Sequence, residues 1–245
     1  VKNGPSPAWL QQRLKSIGLR PISTLVDITN YVTFAYARPL HVFDAQKVHG
    51  NITARLARDG ETLEALDNKT YTLNSNMAVI ADDNGVEGIA GIIGGIPSSC
   101  TEATNDVFLE AAYFDPVRTA TTGRKLGINS DARYRFERGI DPAFTPTGAE
   151  IATQMILDLC GGEASHIVVA GKVPETKRAI TLRRSRVKQL GGLDCPWADQ
   201  LRILRALGFT VTDAAAGASC LVPSWRPDVN GEADLVEEIC RIVGL

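Results

Sequence analysis

The chain has 245 residues, more than one compact domain usually holds, so two domains are expected. Hydrophobic residues at 44% and charged residues at 22% describe an ordinary soluble globular protein, and a net charge of -2 excludes a global electrostatic signature of nucleic-acid binding, leaving only local patches. The five scattered cysteines form no C-x-x-C pair, which argues against a disulfide scaffold and a zinc ribbon and fits a reducing cytoplasm.

Ser6 followed by Pro7 reads as an N-cap before proline at the first helical position. Leu10, Leu14 and Ile17 then share a face, and Gly18 ends the helix. A second helical pattern runs through Leu25, Ile28, Val32 and Ala35 until Pro39 stops it. The period then changes to two. Ile52, Ala54 and Leu56 alternate with polar residues, Met77 to Asp82 reads as a buried strand, Asn84-Gly85 is a hairpin signal, and Val107 to Tyr113 is a further strand. Between them, Gly88-Ile-Ala-Gly91-Ile-Ile-Gly94-Gly95 is either a tight turn between strands or a backbone wall that a ligand can approach closely.

Asp115-Pro116 starts another helix, and a longer one covers roughly Phe144 to Cys160 before Gly161-Gly162. Residues 163 to 179, with a strand-like Ile167 to Ala170, read as a connection, and a domain boundary falls near residue 172. Beyond it come a strand (Ile180 to Leu182), a short helix capped by Ser185, a Gly191-Gly192 turn, a helix carrying Trp197, Leu201, Leu204 and Leu207, and two short strands around Thr210 and Leu221. Two helices across a glycine turn followed by a hairpin suggest a winged helix-turn-helix. The fold class expected is α+β: a mixed, largely antiparallel sheet domain with helices over 1–172, then a small winged-helix-like domain over 173–245. No signal peptide, membrane-spanning apolar run or lipidation motif is found, so an intracellular protein with no membrane partner is expected.

Three constellations carry chemistry. Six cations (Arg118, Arg124, Lys125, Arg133, Arg135, Arg138) against two acids (Asp131, Glu137) suit a phosphate backbone, or else form a solvated face with local ion pairs. Glu110 interrupts an apolar strand and needs a partner if it is buried. A ligand hydroxyl in that role would make it a selectivity filter. At the C-terminal end, Asp228, Asp234, Glu237 and Glu238 place four carboxylates at the start of a helix. The last three are spaced to share a face, either complementing the helix dipole or forming a partial site for a hard divalent cation.

Seven ordered motifs then carry a resemblance. They are Asp27-Ile-Thr-Asn30-Tyr-Val, Pro39-Leu-His41-Val-Phe-Asp44, Gly91-Ile-Ile-Gly94-Gly, Leu109-Glu110-Ala-Ala-Tyr-Phe, Ser130-Asp-Ala132, Arg135-Phe-Glu-Arg-Gly-Ile-Asp-Pro142 and Pro223-Ser-Trp-Arg-Pro-Asp228. Together they closely resemble the beta subunit of bacterial phenylalanyl-tRNA synthetase over essentially the whole chain. The resemblance implies a fragment of a longer subunit, whose partner alpha subunit performs the ATP-dependent charging of phenylalanine tRNA in a cytoplasmic assembly of two alpha and two beta chains. It further implies hydrolytic editing of tyrosine misattached to that tRNA. Glu110 would accept the tyrosine hydroxyl, His41 and Asn30 would face the aminoacyl ester and terminal adenosine, and Thr29 would join the substrate contacts. Gly91 and Gly94 would form the backbone wall, and Ser130 and Ala132 would line the tyrosine pocket. With no nucleophile–base pair in view, water attack assisted by positioning and by the tRNA's own terminal hydroxyl is expected. Ser130 stands where many members carry threonine, which keeps a hydroxyl but changes the pocket volume. Asp228, Asp234, Glu237 and Glu238 match the family's magnesium positions, a site shared with the alpha subunit. The rival class is a non-catalytic nucleic-acid-binding or scaffold module. It is weakened because the helix from Trp197 to Leu207 supplies only Arg202 and Arg205 as cations.

Overall fold

A computed structural model describes residues 1–244. The chain divides into two compact units: Val1–Ile140 with Phe144–Lys172, and Asp141–Ala143 with the residues from Val173 onward. Every strand pairing is antiparallel, and helices and sheets are mixed in an α+β architecture.

The first unit runs α1 (Ala8–Ser16), α2 (Thr24–Tyr36), β1 (His41–Asp44), β2 (Thr53–Leu56), β3 (Thr62–Glu64), β4 (Thr70–Thr72), β5 (Ala78–Ala81), β6 (Val86–Ile89), β7 (Ile93–Gly94), β8 (Val107–Glu110), α3 (Pro116–Leu126), α4 (Asp131–Phe136) and α5 (Thr145–Cys160). One apolar cluster joins α1, α2 and α5 through Leu10, Leu14, Leu25, Ile28, Val32, Ala152 and Ile156, with Val42 of β1 completing it. A second lies on the four-stranded sheet β2-β5-β6-β7 and includes Val79, Ala81, Ile89 and Ile92. The strand β1 pairs with β8, and Phe43 also bridges to Ser99; this small ladder joins the helical cluster through Val42 and lines the cavity with the sheet's glycine-rich turn through His41.

The second unit contains β9 (Ala179–Arg183), α6 (Arg186–Gly191), α7 (Trp197–Ala206), β10 (Thr210–Ala214), β11 (Gly217–Leu221) and α8 (Glu232–Val243). Its sheet has the order β10-β11-β9. Leu201 and Leu204 of α7 and Leu235 and Ile239 of α8 form its core with Leu182 and Val187.

Three local expectations are corrected. Ser6 does not cap α1, whose N-cap is Pro7. Its hydroxyl donates instead to Asp27 Oδ2 at 2.5 Å, because Asp27 is fully buried and a buried carboxylate must be hydrogen-bonded; Ile22 N–H supplies a second donor at 2.8 Å. The strand expected over Val107 to Tyr113 stops at Glu110. Ile167 to Ala170 forms no strand and is exposed, since nothing pairs with it among the described residues.

Candidate active site

Residues from six of the seven motifs that carried the resemblance line one cavity in the first unit, of about 360 Å³, within the usual range for a small-molecule site. Asn30 of α2, Pro39 to His41 and Phe43, the β6–β7 turn from Gly88 to Gly94, Glu110, and Ser130 to Ala132 at the start of α4 all line it, together with Phe114 and Phe136. The register of the β1–β8 ladder sets His41 directly opposite Glu110. Strand pairing therefore brings together two polar side chains that are distant in sequence.

Both groups are perturbed by their surroundings. Burial pushes the Glu110 carboxyl up to about 7 from its ordinary 4.5, against the opposing pull of the Arg38 guanidinium. Burial also lowers His41 to about 4, so its imidazole is neutral at physiological pH and a weak base. Its Nε2 is buried without a hydrogen-bond partner, and its ring meets Phe43 edge-on with centroids 4.4 Å apart. Arg38 is fully buried; its guanidinium donates to Ala112 O, two residues past Glu110, and its stem fills space that a Cβ on Gly148 would enter at 2.7 Å.

Glycine is required at two points of the wall. A Cβ on Gly94 would lie 2.3 Å from His41 Cε1. Gly91 has φ +70°, and a Cβ there would sit 2.9 Å from Phe114 and 3.0 Å from Phe136, rings that pack at 5.1 Å between centroids. Ser130 caps α4: its hydroxyl accepts from Arg133 N–H at 3.1 Å and donates to Ile92 O at 2.6 Å, tying the helix start to the glycine turn. Ala132 lines the cavity beside it.

Not every expected residue joins the site. Thr29 is not among the lining residues; it is buried, and its hydroxyl donates to Val26 O at 2.8 Å within its own helix. The four acids of the second unit are not gathered into a cation cage either. Asp228 and Glu238 both receive Arg226, at 2.5 Å and 2.7 Å, and Arg241 also donates to Glu238. Asp234 accepts from the N–H groups of Asn230 and Gly231 at 2.7 Å and 2.8 Å. Leu235, Val236 and Ile239 turn one face of α8 into the core, which carries Glu238 inward and leaves Glu237 exposed. Among the described residues no three His, Cys, Asp or Glu side chains are placed to hold a metal ion. In this arrangement the four acids do not fit magnesium, because arginine and backbone N–H groups already occupy Asp228, Asp234 and Glu238 and Glu237 points outward.

The basic segment is also more structured than its composition suggested. Arg133 is buried and ties Glu137, Ile128 O and Asn129 together. Phe114, Phe136, Asp131 and Arg38 were missed as site residues; the first three lie inside or beside the quoted motifs, and Arg38 immediately precedes Pro39.

Comparison with known proteins places this cavity within a family. The chain belongs to the B3/4 domain family, whose model matches residues 1–161, and a tRNA synthetase B5 domain matches residues 180–245. Over its full length it is 62% identical to the phenylalanine–tRNA ligase beta subunit of Paramagnetospirillum magneticum and 60% identical to that of Ruegeria pomeroyi. It covers 31% and 30% of those subunits and so corresponds to a segment of such a beta subunit. A solved N-terminal fragment of the phenylalanyl-tRNA synthetase beta subunit from Pyrococcus horikoshii covers 88% of the chain and 64% of its own, with 14% identity and a TM-score of 0.42. No helix among the described residues is long and apolar enough to cross a membrane.

Proposed function

We propose that residues 1–172 form an editing domain that hydrolyses tyrosine esters wrongly made on phenylalanine tRNA, and that residues 173–245 form a winged-helix-like module joining it to the rest of a beta subunit. An apolar site that selects phenylalanine rejects a substrate with one added hydroxyl by only about a hundredfold, whereas a second site that hydrogen-bonds the hydroxyl can discriminate far more. The observation that carries the reading is Glu110, a carboxyl set in a cavity walled by Phe43, Ile80, Ile92, Phe114 and Phe136. A tyrosine hydroxyl would satisfy it.

His41 and Asn30 then face the ester and the terminal adenosine, and Gly91 and Gly94 let the substrate backbone come close. The neutral, weakly basic His41 supports water attack guided by positioning and by the tRNA's own hydroxyl, with no protein nucleophile. The parent assembly, in this reading, is cytoplasmic, joins two alpha to two beta chains and uses ATP for charging at the alpha subunit. A magnesium site at Asp228, Asp234, Glu237 and Glu238 would require Arg226 to give up its carboxylates. The test is release of tyrosine and of phenylalanine from phenylalanine tRNA, measured in parallel. Wild type is expected to prefer tyrosine, and equal behaviour of wild type and Glu110→Ala would remove the filter.

A further inference from the structure

The strand β6 contributes to two cavities. Gly88 and Ile89 line the first, whereas Val86 and Glu87 line a second, of about 580 Å³, with Lys47, His49 and Asn84 among its other walls. The two share no lining residue. In the β5–β6 pairing Ile80 stands opposite Gly88 and Ala81 opposite Val86, so Glu87 is the extra residue of a bulge, a device that re-aims a side chain. Its carbonyl accepts from Gly95 N–H at 2.7 Å, which fixes the bulge. The Glu87 side chain is nevertheless unsatisfied: the residue is 6% exposed, its Oε2 is buried without a hydrogen-bond partner, and it joins no ion pair among the described residues. Lys47, the lysine of the same cavity, is engaged elsewhere. It donates to Ser99 O at 2.7 Å and lies 3.8 Å from Asp44.

From this arrangement we propose that the second cavity binds an aliphatic diamine, one ammonium donating to Glu87 and the other held at the rim beside Asp83. A buried carboxyl without a donor is costly, and the cavity is the side from which a donor can reach it. Asp83 is exposed, and its side chain accepts no hydrogen bond among the described residues. Its N–H donates to His49 O at 3.0 Å, which sets it at the rim between His49 and Asn84. Asp82 adds a third acid there, already accepting from the N–H groups of His49, Asn84 and Gly85. Three acids against one lysine that is paired elsewhere disfavour an anionic ligand. A bare divalent ion is disfavoured too, because among the described residues no three His, Cys, Asp or Glu side chains are placed to hold one. The alkyl stem of a diamine suits the apolar surface that Val86 and Pro97 give the cavity. The site is independent of the editing reading.

The experiment is isothermal titration of the 245-residue chain with 1,4-diaminobutane at constant ionic strength, with butylamine and butane-1,4-diol as comparators. Wild type is expected to bind the diamine saturably, butylamine more weakly and the diol not at all. Glu87→Gln keeps the shape of the side chain and should weaken both amines about tenfold or more. Asp83→Asn, an exposed substitution that leaves the fold intact, should weaken the diamine about threefold and leave butylamine unchanged. This second variant keeps the test decisive should Glu87→Gln fold poorly. The site is overturned by wild-type affinity in Glu87→Gln, by the absence of saturable diamine binding in wild type, by the diol binding as well as the diamine, or by magnesium displacing the diamine at equal concentration, which would reduce the rim to a general acidic patch. Tighter binding of Nα-acetyl-lysine amide than of the diamine would assign the cavity to the lysine of a protein partner and overturn the small-molecule reading. Because no ester is involved, failure here leaves the Glu110 filter standing, and loss of that filter leaves this site standing.

Discussion

His41 and Glu110 face each other across the β1–β8 ladder, and burial moves their proton affinities in opposite directions and inverts their usual order. Glu110 holds its proton up to about 7 where an exposed glutamate would lose it near 4.5. His41 stays neutral down to about 4 where an exposed histidine would charge near 6.5. The folded state thus binds extra protons at Glu110 between about 4.5 and 7, so this group's contribution to stability falls as pH rises through that window. It lacks protons at His41 between about 4 and 6.5, so that contribution falls as pH drops. The two slopes oppose each other in wild type. Wild type minus Glu110→Gln in urea-unfolding free energy should decline from pH 4.5 to 7, and wild type minus His41→Asn should climb from pH 4 to 6.5. Flat differences would show that neither group is perturbed in the folded chain.

The same shift gives the proposed filter a pH dependence. A protonated carboxyl is a weaker acceptor for a phenol than a carboxylate, and hydrogen bonds to charged groups contribute about 1.5–3 kcal/mol. Preference for tyrosyl over phenylalanyl ester should therefore grow by roughly tenfold or more as pH passes upward through about 7. Glu110→Gln should show a low preference that does not change with pH. Rates of the two deacylations between pH 6 and 8 provide the check, and a wild-type ratio independent of pH would argue that Glu110 is already fully ionised.

Gly94→Ala should damage the site more than the added methyl group suggests. The new Cβ would overlap the His41 ring, which is held between Phe43 and Gly94. Overpacking of this kind costs about 1–3 kcal/mol, and a displaced imidazole costs positioning as well. Deacylation should fall by about tenfold or more, with a lower unfolding midpoint. Gly85→Ala, at a position open to solvent, serves as the control that should leave both nearly unchanged.

How far the sequence predicted this arrangement depended on the range of the interactions involved. The helices from Leu10 to Leu14 and from Leu25 to Val32 were legible because their apolar spacing is local, and the Asn84-Gly85 turn because its chemistry is. The pairing of His41 with Glu110 was not legible from period alone. β1 has four residues, too few for alternation to stand out, and its partner lies far along the chain. The helix α4 was missed because its signal is one cap, Ser130, before six residues. The arrangement of the acids of α8 was not legible for a related reason. Spacing puts Asp234, Glu237 and Glu238 on neighbouring positions, but only the burial of Leu235, Val236 and Ile239 decides that Glu238 turns inward while Glu237 turns out. Arg226, which reaches back from the preceding loop to two of the acids, was quoted in a motif without being recognised as their counter-ion.

That counter-ion leads to a test in the second unit. Glu238 is buried and is held down to about 2 by Arg241 and Arg226, so the stability it contributes is present above its ordinary 4.5 and lost as pH falls toward 2. Arg226→Met removes one of the two guanidiniums that hold Glu238, and hydrogen bonds to charged groups contribute about 1.5–3 kcal/mol; the unfolding transition reported by Trp197 and Trp225 fluorescence should move accordingly. The variant also frees Asp228 and one side of Glu238, and magnesium should then stabilise it by mass action. Wild type, whose carboxylates are already occupied, should respond little. Equal stabilisation of both proteins by magnesium would show that the ion displaces Arg226 unaided, and that the acidic helix is a metal site whose arginine merely keeps its place.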